Sequence, residues 1–180
     1  MADDYDSPWK DMLEGYFPAF MAFFFPAVHA DIDWSRGYEN LDTELTQIVR
    51  DAALGRRLAD KLVQVWRRDG IEQIVLIHVE IQGEYDPEFA KRMYVYNYRI
   101  FDRYDRPVVS LAVLCDASSR WRPRRYGYTL WGFQVGMTFP VVKLRDYQAH
   151  WPELEVSTNP FATVVMAHLQ TRATRRRPRL

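Results

Sequence analysis

Ile74-Val75-Leu76-Ile77-His78-Val79-Glu80-Ile81-Gln82 is the stretch that decides how this chain folds. It is rich in β-branched residues and reads as a strand. It also sets an acidic side chain inside an apolar run, where a charge is costly to bury unless something pairs with it. Asp60 intrudes in the same way one run earlier, and Asp69-Gly70 between them is a turn signal suited to joining two antiparallel strands. Two carboxylates on paired strands make a candidate metal site.

Register decides whether the two acids meet. A two-residue turn at Asp69-Gly70 pairs Arg68 with Ile71 and sends Asp60 and Glu80 to opposite faces, because side chains alternate along a strand. A three-residue loop, Arg68-Asp69-Gly70, with Gly70 in the left-handed conformation of a bulged hairpin, pairs Arg67 with Ile71 instead. Asp60 then faces His78, and Glu80 is its diagonal neighbour on the same face, about 7–8 Å away between backbones. The side-chain pattern favours this second register. One face then carries Val63, Val65, Val75, Ile77, Val79 and Ile81, and the other carries Asp60, Gln64, His78, Glu80 and Gln82.

Oxygen ligands of this kind suit Mg2+ or Mn2+, and such an ion activates water and stabilises charge on a phosphate, so phosphodiester hydrolysis is the matching chemistry. On pattern alone, an Asp and a Glu are ordinary on the solvated face of an antiparallel sheet, and that plain reading outweighs the metal site.

Ala59-Asp60-Lys61-Leu62 followed by Val79-Glu80-Ile81-Gln82 resembles the core motif of the PD-(D/E)XK nuclease superfamily. In that superfamily an Asp on one hairpin strand and a Glu-x-Lys on the next hold the catalytic metal. The likeness is closer to the recombination-promoting nuclease (Rpn) group, also labelled YhgA-like transposases, whose second piece reads Ile-Glu-x-Gln. Asp86-Pro87, Arg92, Tyr96 and Arg99 fall where that family carries a helix. Asp6-Ser7-Pro8-Trp9-Lys10 looks like its opening helix, and Leu41-Asp42-Thr43-Glu44-Leu45 resembles a further acidic element.

The resemblance implies a mixed α/β fold with a restriction-endonuclease-like core, a central mixed sheet containing an antiparallel hairpin and flanked by helices. It also implies a Mg2+- or Mn2+-dependent DNA endonuclease with a role in recombination or mobile elements. Asp60, Glu80 and Gln82 are then the catalytic residues. Asp60, Glu80 and the Ile81 carbonyl are the metal ligands, Gln82 positions the attacking water, and Asp6, Lys10, Arg92 and Tyr96 line the cleft for DNA. One departure stands out: superfamily enzymes usually carry Lys where this chain has Gln82, and an amide supplies hydrogen bonds but no charge. Turnover is then slow or relies on a cation from elsewhere, or the chain is a non-catalytic nucleic-acid-binding or assembly module that keeps the fold. The aromatic content also admits self-association, a homodimer being the simplest form.

The 180 residues fit one domain. A hydrophobic share of 48%, with 15% aromatic, favours a packed core over disorder. The single cysteine, Cys115, excludes an internal disulfide and points to a reducing, cytoplasmic setting; after the apolar run Val108 to Leu114 it reads as a buried structural thiol. The greasy run Tyr16 to Ala30 is cut by Pro18 and Pro26 and is shorter than the roughly 20 residues of a membrane span, so no membrane partner is expected. The acidic N-terminus does not read as a signal peptide. Net charge is zero, but Arg120, Arg122, Arg124 and Arg125 surround Trp121, a candidate for stacking on an unpaired base. The tail from Arg172 to Arg179 is basic and reads more simply as a solvated end.

Along the chain, Ser7-Pro8 predicts a helix running to about Phe25 with a break at Pro18, and residues 39–54 predict a second. Asp86-Pro87 launches a third, to about Tyr104, whose Phe89, Met93, Tyr96 and Ile100 recur at helical spacing; Arg92 lies one turn below Tyr96, where its plain alternative is a salt bridge to Glu88. Val108 to Leu114 reads as a strand covered on both faces and reached by helical crossover from the hairpin, and Tyr128 to Leu144 adds one or two more, with Gly132 and Gly136 as bends. The nuclease-like domain is expected over residues 1–158. A short helix from Asn159-Pro160 to about Gln170 and a loose basic tail make up 159–180.

Overall fold

Proline punctuates the N-terminal third. A computed structural model describes residues 6–50, 59–68 and 74–175. The helix expected to reach about Phe25 is two, α1 (Asp6–Gly15) and α2 (Phe17–Phe24), and a further helix that was not expected, α3 (Pro26–Asp31), follows. Pro18 and Pro26 each sit in the first turn of the next helix, where the missing N–H has no intrahelical partner to lose. There follow β1 (Glu39–Asn40), α4 (Asp42–Arg50), β2 (Ala59–Trp66), β3 (Ile74–Gln82), α5 (Phe89–Tyr104) and β4 (Val108–Leu114). The chain continues with β5 (Arg125–Leu130), β6 (Phe133–Thr138), β7 (Val141–Lys143), α6 (Trp151–Val156) and α7 (Pro160–Arg175).

The fold is mixed α/β. Five strands form one sheet in the order β1-β2-β3-β4-β7. The first three are antiparallel to their neighbours, whereas β4 runs parallel to β3, and β7 parallel to β4. α5 is the crossover that a parallel β3–β4 pair requires. β5 and β6 form a separate two-stranded ribbon. Leu130 and Phe133 close it around Trp131 and Gly132, both at positive φ, 53° and 83°. Gly132 therefore supplies a turn rather than the strand bend expected of it, and a left-handed tryptophan costs on the order of 1–2 kcal/mol.

Asp60 lies directly opposite Glu80, with Trp66 opposite Ile74 as the last pair, so the register is displaced by two residues from the expected Asp60–His78 pairing. The cause lies beyond Trp66. Asp33 donates its backbone N–H to the Trp66 carbonyl (2.8 Å), Arg68 N–H bonds the Asp31 carbonyl (2.8 Å), and the Arg67 guanidinium meets the Asp31 carboxylate at 2.6 Å. These contacts draw the end of β2 onto the segment after α3 instead of into a tight turn. A shift of two preserves the assignment of faces. The Asp69-Gly70 turn lies outside the described residues.

Both faces of the sheet are covered. The Val63, Val65, Ile77, Val79 and Ile81 face packs under α1, α2 and α7, where Phe17, Phe20, Phe24 and Phe161 form a buried aromatic cluster. Burying each such ring contributes about 1.5–3 kcal/mol. The other face lies beneath α4 and α5, with Leu62, Leu76, Tyr96 and Ile100 at one end and Phe89, Met93, Ala112 and Leu114 at the other. α7 runs to Arg175, past the expected end near Gln170, and its Phe161, Ala162, Val165 and Leu169 belong to the main core rather than to an appendage. Among the described residues no helix is long and apolar enough to cross a membrane.

On α7, the His168 ring donates from Nε2 to the Cys115 carbonyl at 3.0 Å, and burial holds its pKa below the usual histidine value. The unfolded chain therefore takes up a proton on His168 more readily than the folded one. Stability should be complete above about pH 6.5 and fall as the pH drops below it. Thermal melts from pH 7.5 to 5 should show this loss, and His168→Gln should flatten the profile.

Candidate functional site

The site forms where two sequence anomalies meet. Buried positions on α5 fall at Phe89, Arg92, Met93, Tyr96 and Ile100, a single stripe turned onto the sheet. Arg92 occupies that apolar stripe just as Glu80 occupies the apolar strand β3. Each is buried, and they answer one another: Arg92 Nε donates to Glu80 Oε1 at 2.8 Å. Its Nη2 donates to Gln82 Oε1 at 2.8 Å, and its Nη1 donates to Asp86 Oδ2. One guanidinium thus binds three side chains. Burial alone would lower its pKa, but Glu80 and Asp86 outweigh that and push it up.

The remaining expected residues divide clearly. Asp60 is half-buried and shares the face of Glu80 across the β2–β3 ladder. Gln82 is buried and its amide is committed at both ends, since its Nε2 donates to the Glu84 carbonyl at 2.8 Å. Even-numbered residues of β3 bond toward β4, as the Cys115 N–H to Gln82 carbonyl bond (2.8 Å) shows, so the Ile81 carbonyl turns toward β2, into the ladder where Ile81 pairs with Ala59, the residue before Asp60. Tyr96 is wholly buried with its ring edge-on to His78, 5.7 Å between centroids, so it packs the site from behind and presents no surface to DNA.

Lys10 is not brought to the site. α1 covers the opposite face of the sheet through Trp9 and Leu13, and Lys10 is exposed beside Glu14. Asp6 opens the same helix, and its side chain lies outside the described residues. The alternative pairing of Arg92 with Glu88 is not formed, because Glu88 meets Lys91 at 3.3 Å. Trp121, the candidate for stacking on a base, is half-buried. It packs against Tyr85 and Phe89, with the Lys143 ammonium 5.5 Å from its ring.

The contacts of three groups escaped the sequence reading. Asp86 was legible only as a helix-start signal. It accepts the Glu88 N–H at 2.9 Å through Oδ1 and spends its other oxygen on Arg92. His78 stands beside Glu80, Nε2 to Oε2 3.7 Å, with Nδ1 3.3 Å from the Ser110 hydroxyl. Lys143 and Asp116 form a second buried pair at 2.5 Å, and the Lys143 ammonium also donates to the Trp121 carbonyl at 2.9 Å. Lys143 sits opposite Leu114, which sits opposite Gln82, so it shares their face two strands from Gln82. Its signal was the one that exposed Glu80: a charge within an apolar run, Val141-Val142-Lys143-Leu144.

Two carboxylates and a backbone carbonyl fit a hard divalent ion, which often keeps several waters and takes only one or two carboxylates from the protein. Among the described residues no group of three or more His, Cys, Asp or Glu is placed to hold a metal. The competitor for Glu80 is Arg92, which holds its Oε1. No family model matches the chain, and neither the curated proteins nor the solved structures contain a match to it.

Removing Arg92 leaves Glu80 buried without its guanidinium. Arg92→Ala should lower unfolding stability by about 3–5 kcal/mol in urea titrations, and adding Glu80→Gln to it should recover part of that loss.

Proposed function

We propose that this chain is a divalent-metal-dependent DNA endonuclease with a restriction-endonuclease-like core. The observation that carries the reading is the direct opposition of Asp60 and Glu80 on one face, with the Arg92 guanidinium against Glu80. The mixed sheet, its antiparallel hairpin and its flanking helices are compatible with that core. Asp60, Glu80 and the Ile81 carbonyl would hold Mg2+ or Mn2+, which supplies Lewis-acid activation of water when bound.

The chain's own groups supply the rest. Arg92 answers the departure at Gln82: it brings into the site the positive charge that an amide lacks, where it favours negative charge growing on a phosphate. Gln82 and Asp86 orient that guanidinium by accepting from its two terminal nitrogens. Tyr96 and Phe89, both fully buried, shut water out from behind. Access is from the side of Asp60, the more exposed of the two acids. A connection to recombination or mobile elements belongs to this reading through the motif alone.

A second reading has an observation of its own. Glu80 is fully buried and clamped by Arg92, the state expected of a fold that keeps the charges as structure and binds nucleic acid without cutting it.

With Mg2+ or Mn2+ the purified protein should nick supercoiled plasmid, Asp60→Ala should abolish nicking, and Arg92→Lys should retain more activity than Arg92→Ala. If Asp60→Ala cuts as well as the parent, the assignment fails. Calorimetric titration separates the second reading, because a binding module needs no Mg2+ affinity that disappears in Glu80→Ala.

A further inference from the structure

We propose that the β5–β6 ribbon is a DNA-engaging arm: it enters the major groove of a duplex with Trp131 leading, while arginines at its root lie on the phosphates. The proposal deepens the nuclease reading by naming the element that grips the substrate.

Cross-strand pairing puts Tyr126 with Met137, Tyr128 with Val135 and Leu130 with Phe133 on one face of the ribbon. At the root this face is anchored, with the Tyr126 ring 5.2 Å from Tyr94 of α5. Farther out it is bare. Tyr128, Leu130 and Phe133 are each at least half exposed, and Trp131 is 96% exposed. A protein that gained nothing from this arm would be expected to place a polar residue or glycine at the strained left-handed position, not its most exposed tryptophan.

Charge selects the occupant. From Ala117 to Leu144 the chain holds Arg120, Arg122, Arg124, Arg125 and Lys143 and no Asp or Glu. Arg122 is held by Asp146 (2.7 and 2.5 Å) and Lys143 by Asp116, whereas Arg120, Arg124 and Arg125 are exposed around the root. A second copy meeting this face would bring like charges together, whereas a polyanion complements them. A two-stranded ribbon has the width that the major groove admits, and an aromatic tip can wedge between or stack on bases. The ribbon is also rooted beside the candidate site. Phe139, just after β6, and Trp121 both pack on Phe89, one helical turn before Arg92.

Fluorescence anisotropy of a short labelled duplex, with EDTA present so that nothing is cut, tests this on the full chain. Trp131→Ala should weaken binding about tenfold or more, and Trp131→Phe should restore most of it. Arg124→Glu with Arg125→Glu should reduce the slope of log affinity against log salt by about 2. Unchanged melting temperatures would show that these exposed substitutions leave the fold intact. The proposal is overturned if the parent protein does not bind the duplex, or if Trp131→Ala binds it equally well. In the latter case, a changed mass in solution would mark the face as a contact between copies, and lost binding to phosphatidylserine vesicles would mark it as a membrane contact. Loss of binding in Trp131→Ala together with a parent protein that never nicks plasmid would retain the arm and sink the nuclease.

Discussion

One buried ion pair organises the molecule. Arg92 and Glu80 lie away from solvent between α5 and β3, where neither could remain charged alone without a large loss of stability. Their mutual demand fixes the rotation of α5 on the sheet, since turning the helix to show a purely apolar stripe would strand Glu80. It also couples elements far apart in sequence. The same guanidinium reaches Gln82 at the end of β3 and Asp86 in the connection to α5, so strand, loop and helix share one charge.

A similar arrangement recurs twice. Lys61, buried on the α1 side of the sheet, meets the Asp42 carboxylate at 3.0 Å, and the other oxygen of Asp42 accepts the Leu62 N–H at 2.8 Å, tying the start of α4 to β2. Lys143 and Asp116 tie β7 to the end of β4. Such pairs rank low as sources of net stability, because desolvation consumes much of the attraction. Their effect is on register and on which element lies beside which.

What could be read from the chain follows from how local each signal is. The strand β4 is legible to the residue because its uninterrupted apolar run implies cover on both faces. The helix α5 is legible because its stripe keeps helical period. The face shared by Asp60 and Glu80 is legible from alternation, but their direct opposition is not: it depends on Asp31 and Asp33, some thirty residues upstream, capturing the end of β2. Lys10 was misplaced for a related reason, since adjacency in a motif says nothing about which layer a helix covers. Arg92 was legible as a residue able to reach the carboxylates, but its threefold engagement was not, because Gln82 and Asp86 gave signals of their own that pointed elsewhere.

The rims of the main sheet are short. β1 has two residues and β7 has three, so neither rim strand offers a long row of backbone groups. Strands from another molecule would find few donors and acceptors in line there, and open-ended stacking of sheets is disfavoured by geometry alone. The ribbon β5–β6 differs: each of its strands has a single partner, so its outer edges are where an added strand would find backbone groups in line.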